Sequence, residues 1–197
     1  VKVSYCQTDI GIALAFTGVI LLLSTCTGRD RGKIQMLELL SPEQTGIGFR
    51  NDVVESLNDN IYLFTNFYNG AGVAVGDINN DGLTDIYLSA NAITGTLYLK
   101  QGHLKFKDIT IGSGLDTIPG WKTGVTMVDI NQDGFLDIYI CRSGETRPRL
   151  RSNLLFVNNG DLTFTEKGAA YGLDDWSYSV QAAFFDYDLD SDLDMYL

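Results

Sequence analysis

The chain repeats itself, and this limits its fold more than any other feature. The run GVAVGD at 72–77 is answered by GVTMVD at 124–129 and, without its glycine, by VQAAFFD at 180–186. Each copy enters an acidic loop: 77–85 (DINNDGLTD), 129–137 (DINQDGFLD) and 186–194 (DYDLDSDLD). Each loop leads into an apolar run centred on a tyrosine, Tyr87, Tyr139 or Tyr196. Further on, 97–102 (LYLKQG) matches 155–160 (LFVNNG), Phe106 matches Phe164, and 113–116 (SGLD) matches 171–174 (YGLD). The loops start 52 and 57 residues apart; six residues inserted between Asp129 and Phe164, less one lost before Asp186, account for the difference. The insertion falls in 141–152, where Arg142, Arg147, Arg149 and Arg151 collect.

Each repeat reads as four short strands. The first precedes the acidic loop; in the first repeat the others are 85–89, 96–100 and 104–110. Val, Ile, Tyr and Phe fill these runs, and Gly, Asn and Asp fill the joints. Four antiparallel strands in about 50 residues is the plan of a propeller blade. One blade cannot bury both faces, so neighbours must stack. The expected class is all-β, a β-propeller of four-stranded blades with about three blades present in an incomplete ring. The chain stops inside the second strand of the third repeat, which reads as a piece of a longer protein. Residues 45–53 (TGIGFRNDV) read as an outer strand with no blade of its own, and Trp121 and Trp176 as packing between blades.

The three loops also hold the charge. The chain carries 25 acids and 14 bases, a net −11. Eleven of those acids and no base lie in the loops, leaving 14 acids against 14 bases elsewhere. Such concentration needs a cation to offset repulsion. Oxygen ligands at positions 1, 3, 5 and 9 of a tight turn, with a main-chain carbonyl at position 7, suit Ca²⁺ and suit zinc or copper badly. The expected ligands are Asp77, Asn79, Asp81, Asp85 and the Leu83 carbonyl; Asp129, Asn131, Asp133, Asp137 and the Phe135 carbonyl; and Asp186, Asp188, Asp190, Asp194 and the Asp192 carbonyl. Gly82 and Gly134 supply the turn, whereas Ser191 stands there in the third loop. Position 12 is Leu88, Ile140 or Leu197, never the bidentate Glu of an EF-hand. A metal-free Asx-rich turn is the alternative.

At 72–88, 124–140 and 180–197, each with a Dx[DN]xDxxxD loop between strands, the chain resembles FG-GAP, or VCBS-type, repeats. The parts 97–108 and 155–166 are similar to the second half of the same repeat. The resemblance covers about 45–197 and extends to integrin α-subunit propellers and to exported bacterial propeller lipoproteins related to the cartilage acidic protein family. It implies a seven-bladed propeller, calcium in the loops, and adhesion or ligand binding.

The N-terminus reads as an export signal. Residues 10–23 are a 14-residue uncharged run, short for a membrane span of about 20 residues but suited to a signal-peptide core. It ends in Leu23-Ser24-Thr25-Cys26, which resembles a bacterial lipobox with Cys26 as the lipidated residue. The expected organisation is a lipoprotein signal peptide at 1–25, a linker at 26–44 and propeller repeats at 45–197; an apolar core helix is the alternative for 10–23. Cys141 is then alone in the mature chain, and it reads as a buried thiol at a strand end.

Two functions remain open at this point. The first is a calcium-binding, membrane-tethered module outside the cytoplasm, at the outer membrane or cell surface, for an unknown protein or glycan ligand. The second is the propeller portion of an exported carbohydrate-active enzyme, a lyase or hydrolase. No catalytic constellation is evident: His103, the single histidine, falls in a hairpin turn. The Arg142–Arg151 region offers a grip for anionic glycans or is a solvated loop. The acidic balance argues against nucleic acid as a partner.

Overall fold

In the computed structural model, residues 37–116, 118, 120–144 and 150–197 are described. The signal segment, Cys26, Arg147 and Arg149 lie outside them. Among the described residues no helix is long and apolar enough to cross a membrane.

The strands come in hairpin order. β1 (Val73–Gly76), β2 (Asp85–Leu88), β3 (Thr96–Lys100) and β4 (Phe106–Asp108) form one antiparallel sheet in the order β1-β2-β3-β4. β5 (Trp121–Val128), β6 (Asp137–Ser143), β7 (Leu154–Asn158) and β8 (Phe164–Glu166) form a second in the same order, and β9 (Ala183–Phe185) pairs with β10 (Asp194–Tyr196). Gly76 pairs with Asp85, Val128 with Asp137 and Phe185 with Asp194, so each acidic loop is a hairpin turn between the first two strands of its sheet. Among the described residues the fold is all-β, with two complete four-stranded blades and a two-stranded third that do not close a ring.

Period-2 patterning explains the stacking. In β6 and β7, Ile138, Ile140, Leu154 and Phe156 turn to one side and join Ala74, Ile78, Tyr87 and Leu97 of the first blade. Tyr139, Cys141, Leu155 and Val157 turn to the other side and meet Ala182, Phe184 and Met195 of the third. The middle sheet is therefore buried on both faces, each fully buried Leu, Ile or Phe contributing about 1.5–3 kcal/mol over exposure. The glycine that opens the repeat lies where blades touch. Gly72 N–H donates to the Thr123 carbonyl at 2.7 Å and Gly124 N–H to that of Val180 at 2.8 Å, with no room for a Cβ at either position. Gln181, at the same place in the third unit, is exposed.

Several expectations need correction. Residues 45–53 form no strand. α1 (Pro42–Thr45), with a Ser41–Gln44 capping box, ends at Gly46, and Gly46 packs on the Phe106 carbonyl as Gly114 packs on that of Phe164. This segment is thus the linker that precedes a blade, lengthened by turns that carry Phe64 and Phe67. Trp121 packs at 5.5 and 5.1 Å from those two rings, which precede the first blade, and Trp176 is 59% exposed, so neither shows the expected packing between blades. Arg142 is not a loop residue: it lies in β6, 2% exposed, and its side chain donates to the Ser152 carbonyl. Cys141 is a buried free thiol, inside β6 and not at its end, and burial pushes it up to about 12.

Candidate metal centre

The three loops share one backbone. Position 4 has positive φ in each (Asn80 60°, Gln132 57°, Leu189 64°), and so does position 6 (Gly82 82°, Gly134 91°, Ser191 77°). Ser191 adopts the conformation that glycine takes in the other loops, at a cost of about 1–2 kcal/mol for a side chain in that region. The turn therefore survives the loss of its glycine.

Carboxylates hold the turn from within. Both oxygens of the position-1 aspartate accept main-chain amides. In the first loop Asp81 N–H and Gly82 N–H donate to Asp77 at 3.1 and 2.7 Å, and in the second Asp133 and Gly134 donate to Asp129 at 3.0 and 2.9 Å. In the third, Asp190 and Ser191 donate to Asp186, both at 3.1 Å. Position 5 accepts from the position-7 amide: Leu83 to Asp81 at 2.8 Å, Phe135 to Asp133 at 2.9 Å and Asp192 to Asp190 at 3.1 Å. Asn79 and Asn131 donate back to Asp81 and Asp133, at 3.0 and 2.8 Å.

Position 9 separates the loops. Asp85 is 0% exposed, and it accepts Ile78 N–H at 3.1 Å and Lys100 N–H at 2.8 Å. Asp137, also 0% exposed, accepts Ile130 N–H at 3.0 Å and Asn158 N–H at 2.8 Å. Both carboxylates thus tie the loop to the third strand of the blade. Burial holds both carboxyls above the usual range, against the pull of those amides. Asp194 is half-buried and accepts Tyr187 N–H at 2.8 Å. The sequence marked position 9 as a ligand, but its anchoring role was visible only once β3 and β7 were placed.

One feature escaped the motif. The position-4 amide of each of the first two loops reaches the position-6 carbonyl of the next: Asn80 to Gly134 at 2.9 Å and Gln132 to Ser191 at 3.4 Å. The signal was an amide side chain at a left-handed position, and the spacing argument passed over it.

The third loop gathers the most charge. One carboxylate oxygen from each of Asp186, Asp188 and Asp194 lies within 4.8 Å of the others. Asp190 stands outside that group, held below the usual range first by the Asp192 amide, while its hydrogen bond to Asp192 holds Asp192 above it. A donor set made wholly of oxygen, with three carboxylates converging in one turn, fits a hard divalent cation such as Ca²⁺. The first two loops carry Asn79 and Asn131 at position 3, and among the described residues their three aspartates do not converge in this way. His103 lies exposed in the turn between β3 and β4.

The chain is similar in sequence to known proteins. Over 134 residues, 68% of the chain, it is 31% identical to cartilage acidic protein 1 of Xenopus tropicalis, covering 19% of that protein. Over 107 aligned residues, 46% of the chain, it is 33% identical to integrin alpha-8 of Gallus gallus, covering 10% of that protein. Together these likenesses point to an FG-GAP-type, propeller-like family. The chain spans about a fifth and a tenth of the lengths of these relatives. No family model matches it. An FG-GAP-type reading agrees with the hairpin loops and stacked sheets above. The likeness to an integrin α subunit is in keeping with divalent-cation binding at the acidic cluster.

Proposed function

We propose that this chain is a calcium-binding propeller module for ligand binding or adhesion outside the cytoplasm, tethered to a membrane through lipid on Cys26. The convergence of Asp186, Asp188 and Asp194 in a turn that recurs twice carries the calcium reading. Asp77, Asn79, Asp81, Asp85 and the Leu83 carbonyl would hold one ion, and their counterparts in the other loops two more. The role of calcium is structural. It neutralises loops that otherwise repel themselves, so that the blades keep their register and the surface above them stays fixed. The reading is non-catalytic, and an exposed, solitary His103 supports it. Likeness to an integrin α subunit and to a cartilage acidic protein supports a ligand-binding role, with a protein or glycan as the partner and nucleic acid disfavoured by the charge.

Calorimetric titration of the metal-free protein tests the metal. Uptake of three Ca²⁺ per chain, with Kd of about 10⁻⁴–10⁻³ M as in extracellular modules, is expected, and no uptake overturns the reading. Mass spectrometry of the mature N-terminus tests the anchor. Diacylglyceryl on Cys26 is expected, and cleavage elsewhere with Cys26 unmodified refutes it.

A further inference from the structure

The end of the blades opposite the acidic loops carries buried cations. Lys122 is the second residue of β5, six positions before that strand reaches its loop, and it is 3% exposed. Its cross-strand partner is Arg142, 2% exposed. The Lys122 ammonium meets two main-chain carbonyls, Ile93 and Gly120, each at 3.4 Å, the long limit of a hydrogen bond. Among the described residues no carboxylate stands at ion-pair distance from it. A buried ammonium with two weak acceptors and no counter-ion is expensive. Burial, reinforced by Arg142, pulls the amine down to about 8, so most of it still carries its charge at neutral pH.

Beside it lies a cavity of about 400 Å³, within the range of roughly 300–1,000 Å³ usual for small-molecule sites. Lys122 lines it with Ala92, Ile93, Thr94, Asp116 and Ile118. The walls select among anions. Asp116, an exposed carboxylate on the same lining, repels any anion, and a dianion such as phosphate about twice as strongly as a monoanion. Ala92, Ile93 and Ile118 favour a carbon body, and Thr94 adds a hydroxyl. Glu166 acts on Arg142 and not on Lys122, so it leaves the lysine charge uncompensated.

We propose that this cavity binds a small monocarboxylate with an apolar body, its carboxylate paired with Lys122. The site is independent of the acidic loops, so it stands or falls apart from the calcium reading. Pairing stabilises the ammonium, which makes binding strongest below the lysine's own pKa and weaker as the lysine deprotonates above it.

The test uses the whole chain with ¹³C at lysine Cε, the Lys122 signal being assigned by Lys122→Arg, and benzoate as the probe. Saturating benzoate should raise the Lys122 titration midpoint by about one unit, the tenfold preference of an anion for the charged amine. Benzamide, neutral and of the same shape, should leave it unmoved, and inorganic phosphate should move it less than benzoate. Calorimetry should show benzoate binding at least tenfold weaker in Lys122→Met. An unmoved Lys122 signal, an equal shift with benzamide or phosphate, or undiminished binding by a folded Lys122→Met would each overturn the site. Parallel runs with EDTA and with calcium separate this result from the fate of the acidic loops.

Discussion

The first two acidic loops and the third have the same backbone and reach it differently. Asp85 and Asp137 are fully buried and clamp two amides each, one from their own loop and one from the last residue of the neighbouring strand. Asp194 stands half in solvent with one amide. The third loop also pairs five acids with a serine and a leucine at left-handed positions. After one Ca²⁺ it would still carry a formal −3, against −1 in either of the others. Protein hydrogen bonds hold the first two loops in shape, whereas charge works against the third. Cation dependence should follow that order, and the comparison can be broken at several points.

The largest effect should come from calcium itself. At ten times Kd one site adds about 1.4 kcal/mol by mass action, and three separate sites add about 4 kcal/mol. A melt in calcium and in EDTA measures it. Asp188→Ala should be near neutral in EDTA, where it removes repulsion, and should forfeit about 1.4 kcal/mol of the calcium gain. Equal losses in both buffers would make the third loop an ordinary acidic turn.

Next comes the clamp. In EDTA, Asp137→Ala should cost about 3 kcal/mol, because it leaves the Asn158 and Ile130 amides without their acceptor in the interior. Asp194→Ala should cost about 1 kcal/mol or less. Denaturant midpoints compare the two, and equal costs would erase the distinction between loops.

The sign of the pH dependence sharpens it further. With Asp85 and Asp137 raised by burial, the metal-free fold binds their protons more tightly than the unfolded chain does. That contribution is lost as pH rises from about 4 through their folded values. Calcium requires both carboxylates ionised, so in calcium the slope over the same range should reverse. Melts across that window in the two buffers give the two slopes, and slopes of the same sign would detach these residues from the metal.

The smallest test lies in the strands. Tyr139 Oη donates to the Leu173 carbonyl at 3.0 Å and accepts from Asn153 at 3.0 Å. Tyr87, its counterpart, has a buried hydroxyl with no partner among the described residues, since Gly95 stands where Asn153 does. Tyr139→Phe should cost about 1 kcal/mol and Tyr87→Phe nothing or less.

Much of this was legible in the sequence because the chain states it three times. The hairpin position of each loop followed from matched runs around Asp77, Asp129 and Asp186, and β2 and β3 fall within a residue of their expected bounds. The parts that depend on a neighbour were not legible. Whether Trp176 is covered depends on what packs beside it. Arg142 read as loop because charge suggested solvent, yet β6 carries it inward. Residues 45–53 are rich in β-formers, but α1 and Gly46 dock them as a linker. The anchoring of Asp85 and Asp137 depends on amides 15 and 21 residues away, beyond the reach of any local motif.

The most direct measurement is a crystal structure grown in calcium, with anomalous differences recorded. The account predicts a peak among the oxygens of Asp186, Asp188 and Asp194, and matching peaks between Asp77 and Asp85 and between Asp129 and Asp137. Three empty loops, with the hydrogen bonds described above intact, would contradict it.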